Sequence, residues 1–230
     1  MVILGNIKKT KERNHLESTI NKFSRISSFW NKFDLSSIIF MRERQQIHRL
    51  YEWLLTRVLI KFGINILYQQ RNMNIIIKYK NILIKKDGSN KPIIEILLNY
   101  YQEIKPYISI SHSNQEIFVA FSFEDIGIDH ELFTQNLNYF KRKFTSEEEY
   151  SKIAHFLKNL KSSFDDIILT IIWSIKEATL KLQGNLNISY LPKIEIKVNQ
   201  NNIISKIPNQ DKKYTNLLDV YDNSVLVISI

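Results

Sequence analysis

The stretch WSIKEATLK, residues 173–181, lies within a predicted helix that is apolar over most of its surface. Trp173, Glu177 and Lys181 are spaced four residues apart, so they lie along one stripe of that helix. A Glu–Lys pair at this spacing on an exposed helix contributes only about 0.3–0.5 kcal/mol. On a mostly buried helix the same two charges are costly unless they bind something, which makes them candidate functional residues.

The sequence around this stretch predicts further elements of the second half. The helix runs from about Phe164 to Gln183 and ends at Gly184, a typical helix stop. Before it, Thr145 and Glu148 have the spacing of a capping box and predict the start of an amphipathic helix. After it, three segments separated by Asn-rich turns predict strands: Ile194–Val198, Ile203–Ile207 and Leu217–Ile230.

The first half predicts elements of the same kinds. Apolar residues at helical spacing predict a helix over Arg42–Phe62, with Gly63 as its C-cap. Asn74–Lys85 is rich in isoleucine and precedes a turn-like segment, residues 86–90, which predicts a strand or a hairpin. Two further strands are predicted at Tyr107–Ser111 and Ile117–Phe123. Helices and antiparallel strands in each half indicate an α+β protein.

Composition excludes several classes of protein. The chain has 230 residues, no cysteine and 44% hydrophobic residues, so a disulfide-stabilised secreted domain, a thiolate metal site and a disordered chain are all excluded. The formal net charge of +9 favours an anionic partner, such as a nucleic acid, a phosphorylated cofactor or an acidic protein. The surplus of isoleucine, 38 residues against three alanines, is equally typical of compositional drift, so charge alone does not choose.

No targeting or membrane segment is predicted. Charged residues begin directly after residue 7, which leaves no signal-peptide hydrophobic region, and the apolar stretch Ile167–Trp173 is much shorter than a membrane span. We therefore expect a cytoplasmic protein without a membrane partner.

Two more stretches carry candidate functional residues. In Gly127–Glu131, strand alternation places Asp129 and Glu131 on one face and His130 on the other, where we expect a core position. Two carboxylates one strand step apart suit Mg²⁺, although by themselves they are more typical of a solvated strand end. The other stretch is Ser109–Ser113, where His112 follows a predicted strand and is by itself more typical of packing than of function.

Together, the three stretches resemble the motifs of the 4′-phosphopantetheinyl transferases, in particular the larger monomeric class that activates peptide and polyketide synthetases, such as the surfactin-synthetase-activating type. That family has a Ser-His-Ser segment, a Gly-(Ile/Val)-Asp-x-Glu strand and a Trp-x-x-Lys-Glu-Ala-x-x-Lys helix in this order. Here His112 precedes Gly127 by 15 residues, and Glu177 follows Glu131 by 46 residues. The resemblance covers roughly Lys91 to the C-terminus, and His130 and Thr179 depart from the usual residues.

The resemblance implies a fold of two similar α+β halves related by a pseudo-twofold axis, here residues 1–123 and 124–230, with coenzyme A between them. It implies an Mg²⁺-dependent enzyme, likewise monomeric, that moves the phosphopantetheine arm of coenzyme A onto a serine of an acyl, peptidyl or aryl carrier protein and releases 3′,5′-ADP. No nucleic-acid partner is implied.

The resemblance also assigns roles to residues of this chain. Asp129, Glu131 and Glu177 would hold Mg²⁺, and Glu177 would also act as the general base. Lys181 would bind the pyrophosphate and stabilise the leaving group. The remaining contacts to coenzyme A would come from Lys61, Lys91, Pro92, Ser111 and His112.

Two other hypotheses remain open at this stage. A basic nucleic-acid-binding module would bind in a strongly salt-dependent way and would not respond to coenzyme A. The other hypothesis is a non-catalytic protein with the same fold that binds carrier proteins. Such a protein would have no reason to retain all of Asp129, Glu131, Glu177 and Lys181.

Overall fold

The structure is a computed structural model that describes residues 2–9, 13–26, 28–71, 75–97, 105–113, 116–157, 165–184, 187–199, 202–208 and 210–230. The chain forms two compact units. The first comprises Met1–Asp87, Pro92–Ile108 and Asn114–Glu124, and the second comprises Gly88–Lys91, Ser109–Ser113 and Asp125–Ile230. The α+β class is confirmed, because the chain combines helices with two five-stranded antiparallel sheets.

The first sheet has the strand order β1-β5-β4-β3-β2. Its strands are β1 (Ile3–Lys8), β2 (Ile82–Lys86), β3 (Pro92–Ile96), β4 (Tyr107–His112) and β5 (Glu116–Ser122). The helices of the first unit are α1 (Arg13–Ser24), α2 (Lys32–Glu43) and α3 (Ile47–Gln70), and a 3₁₀ turn spans Tyr79–Asn81. The sequence predicted neither α1 nor α2. The predicted strand begins at Asn74, which lies outside the described residues; within residues 75–85 the strand starts at Ile82 and pairs with β3 as a hairpin.

The predicted end of the helix at Phe62 was wrong, because α3 continues to Gln70. Gly63 lies inside the helix rather than at its C-cap. A Cβ atom built on Gly63 would lie 2.2 Å from Cζ of Phe121, so this glycine lets the phenylalanine ring of β5 pack against the helix backbone. Ile64, Leu67 and Tyr68 then extend the buried face beyond it.

The second unit contains the sheet β6-β10-β9-β8-β7, which packs against α5. Its strands are β6 (Gly127–Leu132), β7 (Glu195–Asn199), β8 (Asn202–Lys206), β9 (Lys213–Val220) and β10 (Ser224–Ser229). Its helices are α4 (Glu147–Phe156) and α5 (Asp165–Gln183), with 3₁₀ segments at Gln135–Lys143 and Ile188–Lys193. The core lies between α5 and the sheet and includes Ile171, Ile175, Ile203, Val225 and Val227.

Two sequence predictions in this unit need correction. The capping box of α4 is formed by Ser146 and Glu149, one residue later than predicted, and exposed Glu148 pairs with Lys152 instead. The predicted strand Leu217–Ile230 is a hairpin of β9 and β10, because the chain turns between Val220 and Ser224 and pairs with itself. The predicted end of α5 is confirmed: Gly184 follows the helix with a φ of +72°, a conformation that favours glycine.

Candidate functional site

The register of β6 places two carboxylates on the face that α5 covers. Asp129 lies opposite Val227 and Glu131 opposite Val225, and both valines belong to the core cluster formed with α5. A Cβ atom on Gly127 would lie 1.8 Å from the carbonyl oxygen of Ala178, so only glycine lets α5 approach β6 this closely. The predicted alternation is confirmed, since His130 lies on the opposite face of the strand and is buried.

Three carboxylates converge where α5 meets β6. Asp129, Glu131 and Glu177 each offer one oxygen, and these three oxygens all lie within 4.8 Å of one another. Asp129 is only 1% exposed, and its Oδ2 is buried without a hydrogen-bond partner among the described residues. A buried carboxylate oxygen without a donor is unfavourable, because it has lost its hydrogen bonds to water and has formed no others in their place. The donor set therefore suits a hard divalent cation such as Mg²⁺.

Lys181 provides positive charge beside these carboxylates. Its Nζ lies 2.6 Å from Oδ1 of Asp129 and 3.6 Å from Oε2 of Glu177. Burial acts to lower the pKa of Lys181, but Asp129, Glu177 and Glu131 outweigh it and raise that pKa above its ordinary value. Lys181 therefore stays protonated at neutral pH and carries a positive charge beside the carboxylates.

Burial and neighbouring negative charge raise the pKa of Glu131 and of Glu177. Burial, followed by the charges of Asp129 and Glu177, raises the pKa of Glu131 to about 7. Burial and Asp129 also raise the pKa of Glu177, although Lys181 and a hydrogen bond from Trp173 act against this shift. Burial is therefore the largest cause of both shifts, and the negative charge of neighbouring carboxylates adds to it.

The end of β4 belongs to the same cluster. The hydroxyl of Ser111 donates to Oδ1 of Asp129 at 3.1 Å and accepts hydrogen bonds from the His130 amide and from Lys181. Ser109 accepts a hydrogen bond from the Ile128 amide. These serines therefore join residues 109–113 to the second unit, whereas the sequence analysis had placed them in the first half.

The structure brings together five of the predicted site residues and places the others elsewhere. The five are Ser111, Asp129, Glu131, Glu177 and Lys181. His112 follows directly and has an exposed side chain. Lys91 donates to the carbonyl of Leu182 at the end of α5, with Nζ 2.8 Å from that oxygen, and lies 3.5 Å from Asp125. Pro92 is the first residue of β3 in the first unit.

Lys61 is enclosed in the core of the first unit. It is 0% exposed, and its ammonium group lies 2.7 Å from Asp34, 2.9 Å from the Phe29 carbonyl and 3.0 Å from the Tyr79 carbonyl. An ammonium group has three hydrogens to donate, and all three have acceptors here. This geometry supports a structural role for Lys61, and we do not include it in the proposed site.

Replacing Lys61 with methionine should therefore destabilise the fold. The change removes the closest cation of buried Asp34 and leaves only Arg57, whose Nε lies 3.9 Å from Oδ1, which costs about 3 kcal/mol. We expect a lower midpoint in urea unfolding at an unchanged slope. Lys80→Met, at an exposed position nearby, should unfold like the wild type. Unchanged stability in Lys61→Met would contradict the structural role.

The sequence analysis also missed a buried ion pair that holds α5. Lys176 is 0% exposed and donates to the Phe144 carbonyl at 2.7 Å and to Glu149 at 2.8 Å. The other oxygen of Glu149 accepts a hydrogen bond from the Ile196 amide on β7. A lysine among the apolar residues of the predicted helix was the available signal. Its partner could not be identified, because Glu149 lies 27 residues away in the sequence.

Comparison with known proteins gives one match. Residues 125–224 match the sequence profile of the 4′-phosphopantetheinyl transferase superfamily. This matched segment is less than half of the chain and contains Asp129, Glu131, Glu177 and Lys181. No curated protein matches the chain. Among the described residues, no helix combines the length and apolar character that crossing a membrane requires. The second half of this chain is thus similar to the 4′-phosphopantetheinyl transferase superfamily.

Proposed function

We propose that this chain transfers the 4′-phosphopantetheine arm of coenzyme A to a serine hydroxyl of an acyl, peptidyl or aryl carrier protein, and releases 3′,5′-ADP. The observation that carries the proposal is the cluster of Asp129, Glu131 and Glu177 with Lys181, because it lies within the segment that matches the superfamily. The subclass proposed is the larger, monomeric, surfactin-synthetase-activating type, built from halves 1–123 and 124–230.

Asp129, Glu131 and Glu177 would hold Mg²⁺. The metal, when bound, supplies positive charge for the pyrophosphate oxygens of coenzyme A. The unpartnered Oδ2 of Asp129 supports this assignment, because a cation would satisfy it. Lys181 would bind the pyrophosphate and stabilise the charge that develops on the departing 3′,5′-ADP.

The reaction forms one bond and breaks one bond at phosphorus. The serine oxygen of the carrier bonds to the phosphorus that carries the pantetheine arm, and the bond from that phosphorus to 3′,5′-ADP breaks. The serine proton passes to Glu177, whose pKa is raised chiefly by burial, so this carboxylate accepts a proton more readily than an exposed one. The protein therefore contributes positioning and charge stabilisation, as in other phosphoryl transfers.

Ser111 and His112 are proposed to contact the 3′-phosphate of coenzyme A, and Lys91 and Pro92 its adenine. Of these four, Ser111 lies within the carboxylate cluster, where it bonds Asp129 and Lys181. Lys91 is held at the C-terminal end of α5 by the Leu182 carbonyl.

Release of 3′,5′-ADP tests the proposed reaction. The chain is incubated with coenzyme A, Mg²⁺ and a panel of apo carrier proteins, and the nucleotide product is separated by chromatography. We expect 3′,5′-ADP only when carrier, metal and enzyme are all present. Carrier binding without product would indicate a non-catalytic factor, and salt-sensitive binding of nucleic acid without product would indicate the nucleic-acid module.

Binding of Mg²⁺ should strengthen as pH rises through neutrality. Glu131 has a pKa of about 7, so below that pH its carboxyl group is protonated and the cation must displace the proton. Above that pH the carboxylate is ionised and the affinity should level off. Isothermal titration calorimetry between about pH 6 and pH 8 measures this, and Glu131→Gln should remove most of the dependence. An affinity that is constant across this range in the wild type would contradict the prediction.

A further inference from the structure

Four polar side chains form a buried chain of hydrogen bonds between α5 and the sheet of the second unit. They are Thr179 on α5, Ser205 on β8, Asn216 on β9 and Ser229 on β10, and none is more than 5% exposed. We call them the buried polar chain. Four uncharged polar groups in a hydrophobic layer are unfavourable unless each is satisfied, so a specific arrangement is expected.

The contacts of the buried polar chain are short and continuous. Ser229 Oγ lies 2.6 Å from Asn216 Oδ1, and Asn216 Nδ2 lies 3.1 Å from Ser205 Oγ. Ser205 Oγ lies 2.7 Å from Thr179 Oγ1, which in turn lies 2.7 Å from the carbonyl oxygen of Ile175. The chain therefore crosses three strands and ends on the backbone of α5.

The hydrogen bonds of the buried polar chain all run in one direction. The Thr179 hydroxyl has a single hydrogen, which it donates to the Ile175 carbonyl, so Thr179 must accept from Ser205. Asn216 Nδ2 then donates one of its two hydrogens to Ser205, and Ser229 donates to the amide oxygen of Asn216. Every hydroxyl hydrogen is used once, which fixes each side chain in one orientation.

The buried polar chain holds the side of α5 that faces away from the carboxylate cluster. At 3.6 residues per turn, Thr179 lies roughly 200° around the helix from Glu177 and roughly 160° from Lys181. On the side of β6, Ala178 rests against Gly127 without space for a methyl group. These two constraints act on one helical turn and together oppose both rotation and sliding of α5.

We propose that Thr179, Ser205 and Asn216 are positioning residues, which set the rotation of α5 so that Glu177 and Lys181 face Asp129 and Glu131. They touch neither substrate nor metal, and they act through the helix. Their effect on transfer rests on the proposed function, but their effect on the geometry of the carboxylates does not. An error of about 1 Å at such a site can cost a hundredfold in rate.

A pair of matched substitutions on α5 tests the proposal. Thr179→Val removes the hydroxyl and keeps the shape of the side chain. Thr170→Val makes the same change at another position of α5 that is 0% exposed, where the hydroxyl donates to the Asp166 carbonyl within the helix. Binding of Mn²⁺, used as the probe for Mg²⁺, is followed by electron paramagnetic resonance, together with thermal unfolding and the kcat and KM of transfer.

We expect Thr179→Val to weaken Mn²⁺ binding and to lower kcat by about tenfold or more each, a loss typical of groups that orient metal ligands. KM for coenzyme A should change little, and Thr179→Ser, which keeps the hydroxyl, should restore both values. Thr170→Val should bind Mn²⁺ like the wild type. Wild-type Mn²⁺ affinity in folded Thr179→Val, or an equal loss in Thr170→Val, would overturn the proposal.

The variant Ser205→Ala provides a second test that does not depend on Thr179→Val folding. Because both residues act through the same contact, the loss of Mn²⁺ affinity in the double variant Thr179→Val/Ser205→Ala should be smaller than the sum of the single losses. Additive losses would contradict a shared chain. If the wild-type protein binds Mn²⁺ at the carboxylates but modifies no carrier, the proposed function alone is refuted. If the wild-type protein binds no Mn²⁺, both the proposed function and the positioning role are refuted.

Discussion

Replacing Asp129 with asparagine is expected to remove metal binding and to slow transfer by about a thousandfold, while leaving the protein at least as stable as the wild type. The change removes one charge from a cluster in which burial and neighbouring carboxylates raise the pKa of Glu131 and of Glu177, and in which Oδ2 of Asp129 has no hydrogen-bond partner among the described residues. Loss of a metal ligand removes several kcal/mol of stabilisation from the transition state. Because 1.36 kcal/mol corresponds to a tenfold change, the rate should fall by about a thousandfold.

Activity, Mg²⁺ binding and thermal unfolding measured on the same preparation test this prediction. Asp219→Asn is the matched control, since Asp219 lies on β9 of the same sheet, is exposed and faces away from α5. It should behave like the wild type in all three measurements. An active Asp129→Asn variant, or one that is inactive because it no longer folds, would contradict the assigned role.

Replacing Gly127 with alanine should destabilise the second unit far more than replacing Gly88 with alanine. The new Cβ would lie 1.8 Å from the Ala178 carbonyl oxygen and 2.8 Å from the Leu182 amide nitrogen, both of them backbone atoms. Neither can move without displacing α5, and a packed core resists such movement. We expect a loss of at least about 4 kcal/mol, a size that only severe disruption of a core produces.

The same variant should also lose metal binding in the fraction that remains folded, because α5 carries Glu177 and Lys181. Urea unfolding gives the stability, and Mn²⁺ binding measured at low temperature gives the state of the site. Gly88→Ala is the control, since a Cβ atom there meets no atom within 4 Å. A Gly127→Ala variant with the stability of Gly88→Ala would show that α5 and β6 are not in this close contact.

Local spacing in the sequence was enough to predict most of the candidate site. The alternation of a strand placed Asp129 and Glu131 on one face, and the four-residue spacing of a helix placed Glu177 and Lys181 on one stripe, both before any tertiary contact was known. Motif order then connected β6 to α5. Ser111 was included on the resemblance alone, and its hydrogen bond to Asp129 spans 18 residues.

Contacts between distant residues explain what the sequence did not reveal. A glycine after a helical pattern predicts a helix end. Gly63 instead lies inside α3, because the ring of Phe121, 58 residues later in the sequence, packs against the helix at this position. Lys61 resembles an available cation until Asp34 and two carbonyl groups enclose it. Thr179 was noted only as a departure from the family pattern, because its partner Ser205 lies on a strand 26 residues away.

The intact mass of an apo carrier protein tests the central claim most directly. The carrier is incubated with coenzyme A, Mg²⁺ and either the wild-type chain or Asp129→Asn, and is then weighed by mass spectrometry. The account predicts that the wild type adds about 340 Da, the mass of the phosphopantetheine arm moved by phosphoryl transfer, and that the variant adds no detectable mass in the time that the wild type needs for complete modification. An unmodified mass with every class of apo carrier, or an equal gain with Asp129→Asn, would contradict it.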